Sequence, residues 1–407
     1  MSSVSVCPSR RFEVVILEPP CANQLETTVE QSGAWKTQDK YVVDRQTAYA
    51  GAVAEILGHG SFVGPTISTD QELQSLNREL LAGKDAFILP HGTLCGRHLI
   101  ADLRLDESNF YGGLVAYPHE QTKVLFRRLL SNNACRPKGW NVEFTEACAL
   151  FGLPGYAVFS EPDLRHAIHN ILGKYQRARI KLATGADGLG QFVIEDPSAI
   201  DSIINQIASK GVLDRGACVE VDLSATTTVS VNTENVGPLS VGSIGVHRRD
   251  SSIHEAETEV GTDYLIARGG LSDIAFSLAE KNGWDLPFSA IVAKVQRLDR
   301  LIRHHLPYLL ITRRTYQVII GKDALGRQHI GVLEQCWRRG GSSANTLLAM
   351  KSFEQDERLK LVVCSQDNAY AGRLEPDHWV LSQRKGLPYV ARVKQRYYET
   401  EAQCFAV

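Results

Sequence analysis

Apolar and polar residues alternate just before a glycine-rich stretch near the middle of the chain, and this alternation predicts a strand with one solvated face. After the glycines, Phe192 opens a second β-favouring run that continues to Ile194. We therefore predict a β-hairpin over residues 179–194. The alternating residues are the apolar Ala178, Ile180 and Leu182 and the basic Arg177, Arg179 and Lys181, and the loop glycines are Gly185, Gly188 and Gly190.

Apolar residues recur every two residues in some other segments and about every 3.6 residues in others. These two periods are typical of strands and helices, and they predict strands alternating with helices elsewhere in the chain. Over residues 1–115 this alternation indicates a small α/β layer. The predicted helices cover residues 47–57, 71–81, 122–130, 162–172, 197–210, 272–281, 288–305 and 344–353. The predicted strands cover residues 12–17, 86–89, 156–159, 218–223, 226–232, 239–246, 316–320 and 330–337.

Composition narrows the class of protein. Of the 407 residues, 43% are hydrophobic and 22% are charged, as in ordinary globular proteins. The 44 basic and 46 acidic residues give a net charge of −2, so no global field attracts nucleic acid or an anionic membrane. No apolar run reaches the length of a membrane span, and the nine cysteines are scattered without a C-x-x-C pair. We expect a reduced, cytoplasmic protein with no nucleic-acid or membrane partner.

Lys181 and the glycine loop together indicate a phosphate-binding hairpin, with backbone N–H groups above the phosphates and an ammonium beside them. A P-loop is excluded because Gln191 follows the last glycine where Lys is required. A dinucleotide fingerprint is excluded because a β-favouring run, and no helix, follows the glycines. An ordinary flexible hairpin is the alternative. As a solvated strand residue, Lys181 is expected to contribute little to stability.

His91 directly follows the predicted strand at residues 86–89. Ligands of α/β sheets usually bind at the C-terminal ends of strands, so His91 and Thr93 are in a position suited to a ligand. A plain turn from strand to helix explains the same residues equally well. Both interpretations remain open at this point.

Two later strands each place charged residues on one face. Between residues 218 and 223, one face carries Cys218, Glu220 and Asp222 and the other carries Val219, Val221 and Leu223. Further along the chain, Glu334, Cys336 and Arg338 alternate in the same way. These three side chains are therefore expected to share one surface of that strand.

The chain order of Lys181 with its glycine loop, Glu220, and Glu334 in L-E-Q-C-W-R resembles the ATP-grasp superfamily over residues 123–353. Residues 111–123 and the phrases R-R-T-Y, L-G-R and V-L-E-Q-C-W-R-R-G-G-S-S resemble a bacterial ATP-grasp-like family of uncharacterised function. The resemblance implies an α/β (α+β), ATP-grasp-like fold. It divides the chain into an N-terminal α/β domain (1–115), a lid subdomain (116–225), a metal-binding subdomain (226–360) and C-terminal strands with a tail (361–407).

The resemblance also implies roles for individual residues. Lys181 would contact the α-phosphate and adenine, and Glu334 would bind the Mg²⁺ that bridges the β- and γ-phosphates. Asp222 is a weaker candidate, for the ribose. The implied ATP-binding set is Lys123, Lys181, Gly185, Gly188, Gly190, Glu220, Val221, Asp222 and Leu223. The implied metal positions are Glu334, Gln317 and Cys336, and the arginines that would neutralise a phosphorylated carboxylate are Arg338 and Arg248.

The metal positions depart from the superfamily pattern. Cys336 stands where asparagine is usual, and the neutral Gln317 is the best match to an acidic residue on the preceding strand. A thiol is a poor ligand for magnesium. Either phosphates and waters complete the coordination, or another carboxylate does, or metal binding is weakened and catalysis is lost.

The activity that the resemblance implies is an ADP-forming ligase that uses ATP and Mg²⁺ to activate a carboxylate as an acyl phosphate and joins it to an amine or another nucleophile. Its partners would be small-molecule substrates, and a homodimer is one assembly open to it. The alternative is a catalytically impaired nucleotide-binding or scaffolding protein with the same fold. A third interpretation is an α/β protein whose resemblance is accidental. No motif names the acid or the nucleophile.

Overall fold

A computed structural model of the chain describes residues 13–17, 40–58, 64–68, 70–185, 190–250, 258–271, 279, 283–340, 342–368, 372–384 and 387–398. The strands are β1 (Glu13–Leu17), β2 (Thr66–Ile67), β3 (Ala86–Pro90), β4 (Leu94–Cys95), β5 (Gly113–Val115), β6 (Gly155–Val158), β7 (Ala178–Leu182), β8 (Gln191–Ile194), β9 (Ala217–Val221), β10 (Ser224–Val236), β11 (Leu239–Asp250), β12 (Thr258–Arg268), β13 (Leu310–Ile311), β14 (Arg313–Lys322), β15 (Gln328–Gln335), β16 (Leu359–Asp367), β17 (Trp379–Arg384) and β18 (Leu387–Tyr398). The α-helices are α1 (Lys40–Ile56), α2 (Asp70–Leu81), α3 (His98–Asp102), α4 (Val142–Cys148), α5 (Glu161–Tyr175), α6 (Ile200–Ala208), α7 (Phe288–His305) and α8 (Ser343–Gln355).

The N-terminal layer is a parallel three-stranded sheet in the order β2-β1-β3. Val14 and Ile16 of β1 join the apolar core that contains α1, and Val15 and Leu17 join the core that contains α2. Because both faces of the sheet are buried, its strands are continuous apolar runs and do not alternate. The predicted N-terminal α/β layer is confirmed.

The predicted glycine-loop hairpin is also confirmed, because β7 and β8 pair antiparallel with Lys181 opposite Gln191. The hairpin belongs to an antiparallel four-stranded sheet in the order β6-β9-β7-β8. Helix α5 leads directly into β7. The helix begins after Ser160, whose hydroxyl accepts the N–H of Asp163 at 3.3 Å, and ends at Gln176, which has a left-handed φ of 65°.

The two faces of the four-stranded sheet differ as the period of two predicts. Ile180 and Val219 are fully buried in the core beneath α5 and α6. Their sequence neighbours Lys181 and Glu220 point to the other face, where Cys218 joins a smaller apolar cluster. The charged residues of this sheet therefore share one face.

An eight-stranded antiparallel sheet in the order β15-β14-β10-β11-β12-β16-β18-β17 forms the body of the chain. Helix α7 packs on one face against Val318 and Val332, and α1 and α8 pack on the other face against Tyr264 and Ile266. Strands β16, β17 and β18 extend this sheet, and β17 and β18 lie in the segment predicted to hold C-terminal strands and a tail. The architecture is the mixed α/β one that the sequence predicts, with an N-terminal parallel layer, a sheet that carries the hairpin and a large antiparallel sheet.

A bulge on edge strand β15 decides where Glu334 points. Gln317 pairs with Glu334 and the next residue, Val318, pairs with Val332, which leaves Leu333 unmatched. Val332 lies in the core beneath α7. In a regular strand Glu334 would share that face, but the extra residue places it on the opposite face beside Gln317.

The structure corrects one predicted helix. Residues 122–130 do not form a helix; a single 3₁₀ turn, Lys123–Phe126, precedes extended chain. The extended chain carries Arg127 inward, where its side chain is only 2% exposed and pairs with Glu220. The predicted helix at residues 272–281 and the loop residue Gly188 lie outside the described residues, apart from Ala279. Within the described chain, every helix is too short or too polar to span a membrane.

Candidate functional site

A buried ion-paired group lies on the charged face of the four-stranded sheet. The ammonium of Lys181 on β7 is 2.6 Å from Oε1 of Glu220 on β9. Arg127 donates to Oε2 of the same carboxylate, from Nε at 3.1 Å and from Nη2 at 2.5 Å. Burial alone would raise the pKa of Glu220, but the charges of Lys181 and Arg127, together with their hydrogen bonds, lower it to about 2. Glu220 is therefore ionised and holds two cations in fixed positions.

Lys123 connects this group to the edge of the eight-stranded sheet. Its ammonium is 3.1 Å from Oε2 of Glu334 on β15 and donates at 2.7 Å to the carbonyl oxygen of Gly185 in the hairpin loop. The main-chain oxygen of Lys123 accepts the Cys218 thiol at 3.3 Å, which ties the residue to β9. Lys123 thus contacts the loop, the four-stranded sheet and the eight-stranded sheet at once.

Glu334 is the most accessible carboxylate of this group, with 31% of its side chain exposed. Burial acts to raise the pKa of Glu334, but the charges of Lys123, Lys181 and Arg338 lower it below its usual value. Lys123 contacts this carboxylate directly, and the charge of Lys181 also acts on it. We call Lys123, Arg127, Lys181, Glu220 and Glu334 the charged cluster.

Gln317 and Cys336, the two predicted metal positions that depart from the superfamily pattern, differ in their surroundings. Gln317 lies directly opposite Glu334 in the β14–β15 ladder and points to the same face. The thiol of Cys336 donates to the Arg338 carbonyl at 3.5 Å, and Arg313 donates to the Cys336 carbonyl at 2.9 Å. The thiol is therefore engaged with the protein main chain.

A buried ion pair fixes the chain beyond β15. Nε of Arg313 is 3.3 Å from Oε2 of Glu234, and both side chains are fully buried. Glu234 also accepts hydrogen bonds from Tyr111 and, at 3.1 Å, from Thr346. Arg313 donates to the main-chain oxygen of Arg338 as well. This network joins the N-terminal layer, β10, β14 and α8 to the segment that carries Arg338.

The two predicted phosphate-neutralising arginines lie in different places. Arg338 follows β15 and is exposed. Arg248 is on β11, three strands away from β15, which corresponds to roughly 14 Å at the usual strand spacing. Strand alternation also directs Arg248 to the opposite face from Gln317, where it pairs with Asp263 at 3.3 Å and Asp367 at 2.8 Å. The structure does not bring Arg248 to the charged cluster.

The predicted hinge residues are buried. Val221 and Leu223 are 1% and 8% exposed in the core beneath α5 and α6. The carboxylate of Asp222 is 2% exposed and is held by Arg177 at 3.0 Å and Arg179 at 2.6 Å. Asp222 therefore offers no free oxygen to a ribose. The Gly185 carbonyl accepts from Lys123, and Gly190 has a positive φ of 69°, which only glycine adopts readily.

His91 lies close to Arg339, which donates to the main-chain oxygen of the preceding residue, Pro90, at 2.9 Å. Nδ1 of His91 is 2.8 Å from Nε2 of Gln46. Burial, and then the positive charges of Arg339, Arg338 and Arg45, lower the pKa of His91 to about 3. The imidazole is therefore neutral near pH 7, and it lies directly after β3 and close to the arginine segment that follows β15. A role for His91 in ligand binding remains a prediction.

A cavity of about 250 Å³ lies away from the charged cluster. It is lined by residues of β10, β14 and α7, among them Asp299, Arg314 and Tyr316 on the opposite face of the eight-stranded sheet from Gln317. Asp299 already pairs with Arg314 at 3.0 Å and accepts from Tyr316 at 2.6 Å. These three polar side chains of the cavity thus bond to one another, and we assign this cavity no role.

Sequence reasoning missed Arg127 as part of the cluster. Apolar residues such as Phe126 and Leu129 lie near Arg127 in the sequence, so the segment has the composition of a helix with a basic face. No local signal distinguishes a solvated arginine from one that reaches a buried carboxylate in another element. The Glu234–Arg313 pair was missed for the same reason.

The donor set fits a magnesium ion shared with phosphate oxygens. Glu334 offers an accessible carboxylate and Gln317 an amide oxygen on the same face, and magnesium in proteins is commonly held by one or two carboxylates with phosphates and waters. A site made of protein ligands alone does not fit. Within the described parts of the chain, no three His, Cys, Asp or Glu residues are grouped so that they could hold a metal.

The fold and the cluster define a mixed α/β protein with a charged site between its four-stranded and eight-stranded antiparallel sheets. The chain belongs to the family described as "Protein of unknown function (DUF3182)", whose model matches residues 34–385. A comparison with curated proteins finds no significant match.

Solved structures show similarity over most of the chain. N5-carboxyaminoimidazole synthetase from Staphylococcus aureus complexed with ADP is 12% identical, with 98% of each chain covered and a TM-score of 0.49. The biotin carboxylase–β-γ-ATP complex from Campylobacter jejuni is 10% identical, with 94% of this chain and 87% of that chain covered and a TM-score of 0.48. D-alanyl-alanine synthetase A from Vibrio cholerae is 10% identical, with 83% of this chain and 93% of that chain covered and a TM-score of 0.45.

Proposed function

We propose that the charged cluster binds ATP and that the protein uses it to join a carboxylate to an amine or another nucleophile. The observation that carries this proposal is the position of Lys123, whose ammonium contacts both the hairpin loop at Gly185 and the carboxylate of Glu334. With Lys181 nearby, two lysines, a glycine loop and an accessible carboxylate converge from elements far apart in sequence. A polyphosphate needs this combination of donors and charge.

Each residue has a defined task in this proposal. Lys181 and Lys123 bind phosphate oxygens, and Glu220 holds Lys181 in position from beneath. Gly185, at the described edge of the hairpin loop, holds Lys123 through its carbonyl oxygen. Glu334 and the amide oxygen of Gln317 would hold Mg²⁺, which when bound neutralises charge between neighbouring phosphate oxygens.

The proposed chemistry has two steps. A carboxylate oxygen attacks the γ-phosphorus, the bond to the β-phosphate oxygen breaks, and ADP leaves. The nucleophile then attacks the acyl carbon, loses its proton, and expels inorganic phosphate. Arg338, which is exposed just beyond β15, would neutralise the acyl phosphate through bidentate contacts. The protein otherwise contributes positioning and the exclusion of water.

A second candidate function is nucleotide binding without turnover. It is favoured by Gln317, which places a neutral amide opposite Glu334, and by the engagement of the Cys336 thiol with the main chain. With one carboxylate at the metal position, phosphoryl transfer would be impaired while the lysines still bind phosphate.

The test measures ATP binding by calorimetry and ADP release with panels of carboxylates and amines, each with Mg²⁺. ADP release that requires both an acid and an amine, and that Glu334→Gln abolishes, supports the ligase. ATP binding with no ADP release from any pair supports the second candidate. Absence of ATP binding contradicts both, and in that case Lys123 and Lys181 have only structural roles.

A further inference from the structure

Lys123 is a fixed component of the site and not a mobile surface lysine. Only 11% of its side chain is exposed, and its ammonium has two partners, the Glu334 carboxylate at 3.1 Å and the Gly185 carbonyl at 2.7 Å. A lysine loses rotamer entropy when it is held in this way, so its position requires compensating contacts. The result is a cation positioned beside the carboxylate that is best placed to bind a metal.

The balance of charge in the cluster favours an anion. Its basic members Lys123, Lys181 and Arg127 outnumber its two carboxylates. Gln317 preserves this excess, because a carboxylate at that position would add a negative charge directly opposite Glu334. A polyphosphate approaching the cluster therefore meets a net positive charge that is supplied by the protein alone.

Lys123 and a divalent cation have the same partner. A metal bound to Oε2 of Glu334 would compete with the ammonium for that oxygen, since both are cations that need it at close range. Phosphate oxygens remove this conflict, because they give Lys123 another anionic partner. Nucleotide binding would thus precede metal binding and make it possible.

We propose that this site binds its nucleoside di- or triphosphate without a divalent cation, with Lys123 as the counter-ion beside Glu334. This inference rests on the proposed nucleotide binding and deepens it by assigning the order of binding. Affinity for the nucleotide comes from the two lysines, and a metal ion joins the complex afterwards.

The experiment measures dissociation constants of ATP and ADP by calorimetry in EDTA and in excess Mg²⁺. Wild type is expected to bind in EDTA within about threefold of its affinity in Mg²⁺, since the lysines supply the binding energy. Lys123→Met is expected to lose about tenfold or more in EDTA and to recover part of that loss in Mg²⁺. Lys138→Met, at an exposed lysine outside the cluster, is the matched control and should behave as wild type.

Variants of Glu334 and Gln317, which lie opposite each other, test how charge at the site changes the affinity for the nucleotide in EDTA. Glu334→Gln removes a negative charge, so its affinity in EDTA should equal or exceed that of wild type. Gln317→Glu adds one, so its affinity in EDTA should fall and become dependent on Mg²⁺. Thermal unfolding of each variant confirms that it is folded.

One outcome is that wild type binds the nucleotide in Mg²⁺ and binds it at least about tenfold more weakly in EDTA. That result overturns this inference and leaves the proposed nucleotide site intact. Loss of binding in Glu334→Gln in EDTA also overturns it, because the carboxylate would then be required without a metal. No nucleotide binding in either buffer overturns the proposed function itself, and this inference with it.

Discussion

The ammonium of Lys181 lies 2.6 Å from the carboxylate of Glu220, on the neighbouring strand, and the lysine side chain is only 13% exposed. The expectation that Lys181 is solvated is therefore wrong, and we now expect this lysine to contribute to stability. Because Glu220 is 1% exposed, removing a cation beside it leaves a buried charge with fewer partners. The lysine that is proposed to bind phosphate also stabilises the sheet that presents it.

Lys181→Ala is expected to weaken ATP binding by about tenfold or more and to lower the free energy of unfolding by roughly 1–3 kcal/mol. Arg127 still neutralises part of the Glu220 charge, which limits the loss of stability. Calorimetry and urea unfolding measure the two effects separately. Lys181→Arg should retain most of the stability, and Lys138→Ala is the exposed control. Unchanged stability in Lys181→Ala would contradict the ion pair.

Glu220 should make stability depend on pH in the acid range. Its folded-state pKa of about 2 lies below the ordinary value of 4.5, so the unfolded chain binds this proton first as the pH falls. The shift contributes on the order of 3 kcal/mol above about pH 5, and the contribution is lost between about pH 4.5 and 2. Urea unfolding of wild type and Glu220→Gln from pH 7 to 3 measures it. A stability difference between the two proteins that does not shrink in acid would refute the shift.

His91 should remain neutral well below the usual histidine range. Its pKa is lowered to about 3, against an unperturbed value of 6.5, so the unfolded chain takes up this proton while the folded chain does not. Stability is therefore lost as the pH falls from about 6.5 towards 3, and His91→Gln should lose less over that range. The NMR shifts of the His91 ring protons report its protonation directly. A midpoint near 6.5 in the folded protein would show that burial and the nearby arginines do not act as described.

Arg313 and Glu234 should be strongly coupled. Either Arg313→Met or Glu234→Gln alone leaves a buried charge with reduced pairing, and each is expected to cost about 3–5 kcal/mol. The double variant should cost less than the sum of the two by about 1–3 kcal/mol, because neither charge is then left behind. A double-mutant cycle from urea unfolding gives the coupling energy. Simple additivity would mean that the two side chains stabilise the protein independently.

The sequence by itself determined the strands that carry Lys181 and Glu220 and the faces of those two strands. A period of two in the backbone places Lys181 and Glu220 on the opposite face from Ile180 and Val219, and burial in the structure follows that pattern. The glycine-loop hairpin was also predictable, because its residues are contiguous. Local rules suffice when the residues that set a conformation are neighbours in the chain.

Only the tertiary structure decided which charged residues meet. Lys123 reaches Glu334, and Arg127 reaches Glu220, across long stretches of sequence, whereas Arg248 lies three strands away from β15. The orientation of Glu334 itself depends on the bulge at Leu333, since regular alternation from Val332 would have directed it into the core. Strand order, register and the burial of a charge that needs a partner are properties of the packed chain, and no local pattern of residues encodes them.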